Sequence, residues 1–186
     1  MQQVQPSTQP TKRSIKVPKS LMAIVAIFGA FMLQVSAAQA DSGGYVLPLA
    51  LASEAATEAI KVCESNGYRV SAAVVDDSGV LKLFMKGDKS TIHTKDASYR
   101  KAYTVVTMGP VFKFDTSGQF AQRFAKDPSP PALATLPDVV LGAGAVAIRV
   151  KGEIVAALGI SGAPGGAPDE VCAQAGLAKI VDRLPK

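Results

Sequence analysis

Two stretches of this 186-residue chain each set a pair of apolar runs around a turn too short for anything but reversal. In the first, YRVSAAVV (68–75) and VLKLFMK (80–86) flank DDSG, in which Gly79 can take positive φ at no steric cost. In the second, AGAVAIRV (143–150) and EIVAALGIS (153–161) are separated only by Lys151 and Gly152. Parallel neighbours need a crossover of about a dozen residues or more, so both pairs are antiparallel hairpins.

Around the hairpins the apolar period changes to that of helices. Leu49, Ala52, Ala56, Ala59, Ile60 and Cys63 recur at helical spacing, with Glu54, Glu58 and Lys61 on another face and Gly67 as the stop. HTKDASYRKAYTVVTM (93–108) predicts a second helix with Tyr99, Ala102, Tyr103 and Val106 on one face. The segment 112–124 predicts a short helix opened by Asp115 or Ser117. KDPSPPALATLPD (126–138) carries four prolines in thirteen residues and reads as an ordered surface loop, since proline suits neither a central strand nor a helix interior. A final helix is expected from Pro168 as its first residue, with Asp169 and Glu170 where the helix dipole favours acids. Helix, hairpin, helix, short helix, hairpin, helix is an α+β order, unlike that of a doubly wound sheet.

The first 40 residues are set apart by composition. Lys12, Arg13, Lys16 and Lys19 precede the apolar run LMAIVAIFGAFMLQV, and Ala38 and Ala40 fill the small-residue positions of an A-x-A cleavage site. This is the layout of a signal peptide over 1–40, with the mature domain at 41–186 in the periplasm or secreted. An uncleaved anchor is the alternative, since Leu21 to Ala40 approaches the roughly 20 residues that span a bilayer; Gln34 and the cleavage pattern favour removal. The chain has 20 basic and 15 acidic residues, but the leader holds four of the bases and none of the acids. The remaining 16 against 15 give no electrostatic footprint for nucleic acid or an anionic membrane. In an oxidising compartment Cys63 and Cys172 are expected to join the first and last helices, the alternative being two small buried hydrophobes.

VVDDSGVLK (74–82), RKAYT (100–104) and GEIVAALGISGAPGGAPDEVCAQAGLAKI (152–180) together resemble the GlcG/HbpS-like family, also described as the haem-degrading or PduO C-terminal-like domain. The likeness runs over roughly residues 48–184, and its last block is the specific part. It implies about five antiparallel strands flanked by helices in a profilin-like layout, homo-oligomers, and binding of haem or a related tetrapyrrole. Ala147 and Ala156 depart from the family's proline and glycine at those places, small residue for small residue.

That resemblance makes His93, the single histidine, a candidate axial iron ligand. At helical spacing it shares a face with Ala97, Arg100 and Thr104, which would place a cation near a propionate and a hydroxyl near a bound water. Tyr99 and Tyr103 on the next face are alternative oxygen ligands or core aromatics. Lys101 would pair with Asp76 or Asp77, contact a ligand carboxylate, or snorkel. Gly162, Gly165 and Gly166, with the free N–H groups of the last helix, could receive a propionate or phosphate. Asp169 and Glu170 already hold that positive end, so a tight turn or a subunit contact are the other readings of the loop. Ser161 lies in GISGA rather than G-x-S-x-G, and one histidine leaves a nucleophilic serine without a ready base. The reading that follows is an exported haem-binding or haem-sequestering protein. An enzyme of the same fold acting on the tetrapyrrole or a small organic acid, and a structural or sensory oligomer, are the alternatives.

Overall fold

The computed structural model describes residues 44–125 and 131–186; the leader expected over 1–40 lies outside them. The elements follow the expected order: α1 (Leu49–Ser65), β1 (Ser71–Asp76), β2 (Leu81–Lys86), α2 (Thr94–Phe112), α3 (Ser117–Phe124), a single turn α4 (Pro131–Ala134), β3 (Ala145–Val150), β4 (Glu153–Ser161) and α5 (Ala167–Ile180), closed by a 3-10 turn at Val181–Arg183. Both hairpins form, and pairing of β1 with β4 joins them into one antiparallel sheet of order β2-β1-β4-β3.

The sheet has four strands among the described residues, where the family resemblance implies about five. At the free edge of β3 the chain makes a single bridge, Thr116 to Val146, with Ala147 N–H donating to the Asp115 carbonyl at 2.7 Å. Thr116 cannot extend that pairing because it caps α3: its hydroxyl accepts from Gln119 N–H, and the Gln119 side chain accepts from Thr116 N–H. This capping box also replaces Asp115 and Ser117 as the opening of the short helix. The last helix starts at Ala167, so Pro168 is its second residue; Gly166, at φ 78, precedes it. α2 runs past the expected end, through Pro110, and stops at Lys113 in the left-handed conformation. Within the proline-rich segment, Pro131 opens α4, where a missing N–H costs no helical bond.

Period-two alternation distributes the strands' side chains to two helical layers. Ala72, Val74, Ile148, Leu158 and Ile160 face α1 and α5. Val75, Ala145, Ala147 and Ala157 face α2 and the aromatic group Phe114, Phe120 and Phe124. A bulge between Ile148 and Arg149 lets Val155 and Ala156 both join the first layer. Small residues set how closely the helices lie. A Cβ at Gly159 would collide with the Ser98 carbonyl of α2, and one at Gly176 with the Ala55 carbonyl of α1. Cys63 and Cys172 are joined in a disulfide with Cα atoms 5.6 Å apart, tying α1 to α5 within the core.

Candidate functional site

The start of α2 is pinned to the sheet by buried hydroxyls. Ser71 Oγ lies 2.9 Å from Ser90 Oγ and 2.8 Å from Thr94 Oγ1, and Thr94 Oγ1 donates to the Thr91 carbonyl. From that anchor α2 passes over β4 and β1 and leaves β2 largely uncovered.

Register shows what is left open. Cross-strand partners share a face, so Leu81 (opposite Val75), Phe84 (opposite Ala73) and Lys86 (opposite Ser71) all project on the α2 side. Phe84 is half-buried and belongs to neither core cluster, and Leu81 and Val80 are 44% and 59% exposed. A groove of about 270 Å3 runs here, lined by Gly79, Val80, Leu81, Phe84, Lys95, Asp96 and Tyr99. Its β1–β2 end is held by Asp76, whose Oδ1 accepts from Ser78 and Val80 N–H, and by Gly79 at φ 79. Tyr99 donates to the Gly79 carbonyl at 3.4 Å, and its ring lies 5.7 Å from that of Tyr103, which packs against Gly79. Burial, with Asp138 and Tyr103 adding to it, pushes the Tyr99 phenol above its ordinary value.

The other expected site residues fall into three places. Tyr99 alone of them lines the groove. His93 is exposed immediately before α2, its Nδ1 3.1 Å from Thr91 Oγ1. The face it shares with Arg100 and Thr104 carries a loop: Arg100 donates to the Val139 carbonyl at 3.0 Å, and Thr104 Oγ1 accepts from Val140 N–H at 2.9 Å.

Lys101 and the glycine loop form the third place, and Lys101 pairs with neither Asp76 nor Asp77. Its Nζ lies 2.7 Å from Asp169 Oδ2 and donates to the Ile160 carbonyl, with the Asp169 side chain only 1% exposed. Asp169 Oδ1 accepts from Ala163 N–H, and Glu170 Oε2 from Gly118 and Gly144 N–H. The loop thus holds the protein's own carboxylates. Gly162 and Gly166 serve close backbone approach, to Arg69–Val70 and to Ala143, while Gly165 faces open space at φ 79. The sequence signal for this was Asp169 itself, an acid placed beside a turn and a basic residue on an otherwise apolar helix. Phe84, Lys86 and Lys95 escaped the sequence reading. For Phe84 and Lys86 the signal was the β2 alternation, which puts an aromatic and a lysine on the same side.

The chain belongs to the HbpS-like family: residues 47–178 match the family model described as haem degrading protein HbpS-like. Similar solved structures include a double mutant of HbpS from Streptomyces reticuli, 34% identical over 73% of this chain and 87% of that one, with a TM-score of 0.66. HbpS itself is 33% identical over 73% and 90%, again at 0.66. A PduOC–haem complex, at 20% identity over 73% and 96% with a TM-score of 0.65, shares the fold. No curated protein matches the sequence.

Proposed function

We propose that the protein is an exported haem-binding protein and that the groove between the β1–β2 hairpin and α2 receives the macrocycle. The observation that carries this reading is the uncovered apolar floor of Val80, Leu81 and Phe84 beside a helix, in a chain of a family described as haem-degrading. A flat apolar ring buries its face on such a floor, and Lys95 on the groove wall supplies a cation for a propionate. Bound haem would supply iron-centred redox and ligand chemistry. Tyr99 borders the groove, and His93 stands at the beginning of the same helix, so these two are the chain's candidate iron ligands. Arg100 and Lys101 instead hold protein carbonyls and Asp169. The disulfide suits an oxidising compartment and supports export to the periplasm or beyond, as the leader suggests.

Titration of the 41–186 chain with haemin, followed by its Soret band, tests the proposal. Wild type is expected to shift the band, and Phe84→Asp to abolish the shift while retaining the fold by circular dichroism. A wild-type chain that leaves the spectrum unchanged would overturn it. The family's description favours a second reading in which bound haem is broken down. Under it, the band decays when a reductant is added to the complex in air, dioxygen being the oxidant that opens the ring; a band that persists under those conditions assigns sequestration.

A further inference from the structure

We infer that the groove recognises the apolar face and the carboxylates of a tetrapyrrole rather than its metal, so that metal-free dicarboxylic porphyrins are also ligands of this protein. The inference rests on the haem reading above and extends its ligand class. It starts from what the groove wall offers a metal. Haem iron is ordinarily held by His, Cys, Met or Tyr. Of the groove-lining residues only Tyr99 is of these types, and its hydroxyl is directed to the Gly79 carbonyl. His93 lies outside the lining, and Asp96 is exposed.

The groove offers a dicarboxylic ring much more. Its floor is Val80, Leu81 and Phe84. Beyond Phe84, on the same side of the sheet by register, stands Lys86; across the floor, on α2, stands Lys95. Both are exposed, and neither joins an ion pair among the described residues. A cation on the groove wall and a second beyond the Phe84 end of the apolar floor complement a flat ring bearing two acids. Asp96 on the same wall disfavours a third acid there.

The test titrates the 41–186 chain, which contains the compact unit Gly44–Lys186, with protoporphyrin IX by fluorescence and with haemin by absorbance. The two dissociation constants are expected to agree within about threefold, and charge reversal at both lysines, Lys86→Glu with Lys95→Glu, to weaken both by about tenfold or more. Haemin binding with protoporphyrin about a hundredfold weaker would overturn the inference and leave the haem reading standing. Failure of both ligands to bind would instead sink the haem reading beneath it. Equal binding unaffected by the double reversal would remove the lysines from recognition. Lys61→Glu with Lys151→Glu, a matched charge change at exposed residues of α1 and of the β3–β4 turn, controls for a general electrostatic effect and is expected to leave both constants unchanged within about twofold.

Discussion

The two faces of the sheet are covered differently. On one, the paired helices α1 and α5 span all four strands: Leu83 and Met85 of β2 pack into the same cluster as Val146 and Ile148 of β3. On the other, α2 is pressed against β4 at Gly159, and the phenylalanines around α3 cover the β3 side, but cover fails over β2. Geometry accounts for the difference. Four strands about 4.8 Å apart present a surface some 14 Å wide, and one helix of about 10 Å diameter cannot roof it. A second helix closes one face, whereas a single helix leaves a groove on the other. Burial on the closed face serves stability, and the incomplete roof leaves open the groove proposed to receive haem.

The strongest challenge to that division is the contact joining the two layers. Lys101 of α2 reaches Asp169 of α5 past the end of β4, both side chains being nearly buried. Lys101→Met leaves Asp169 uncompensated and is expected to cost about 3–5 kcal/mol in urea denaturation. Lys101→Met with Asp169→Leu should recover much of that loss. Recovery that fails would mean that the Ile160 and Ala163 backbone contacts, rather than the charges, hold the layers together.

The closed face can be weakened alone. Replacing Cys63 and Cys172 by alanine opens a cross-link between residues 109 apart and is expected to lower stability by about 2–4 kcal/mol. If the faces are independent, haemin affinity stays within about twofold in the folded protein. A large loss of affinity would show that the groove depends on α1–α5 packing.

Truncation in each layer compares the faces directly. Leu158→Ala, in the closed core, should cost about 2–5 kcal/mol. Phe84→Ala, in neither core, should cost about 1 kcal/mol while removing most of the haemin affinity. Similar stability costs would mean that the groove floor is part of the core.

Much of the closed face was legible in the residues. Ala52, Ala56, Ala59 and Cys63 recur at helical spacing, and two tight turns force antiparallel strands, so both elements and their pairing direction follow from local pattern. The candidate site was far less so. Arg100 and Thr104 do share a face with His93, but nothing local could tell that residues 139 and 140 would lie on it, some forty positions away. Lys101 had suitable acids nearby in the hairpin; that its partner is Asp169 depends on how α2 crosses β4, which Gly159 determines. Phe84 looked like any inward strand residue, because whether a helix covers a strand is decided by layer width, a property of the assembled sheet.

The smallest expected effect concerns the groove's rim. Burial, with Asp138 and Tyr103, raises the Tyr99 phenol above the ordinary tyrosine value near 10. In the unfolded chain the phenol ionises at that ordinary value, so the folded state holds the proton more tightly. The resulting stability is present below about pH 10 and is lost as pH rises through the folded value. Ultraviolet titration should show one tyrosine ionising later than the rest, and Tyr99→Phe should remove that late component along with part of the alkaline loss of stability. A late component that survives Tyr99→Phe would place the most protected phenol elsewhere.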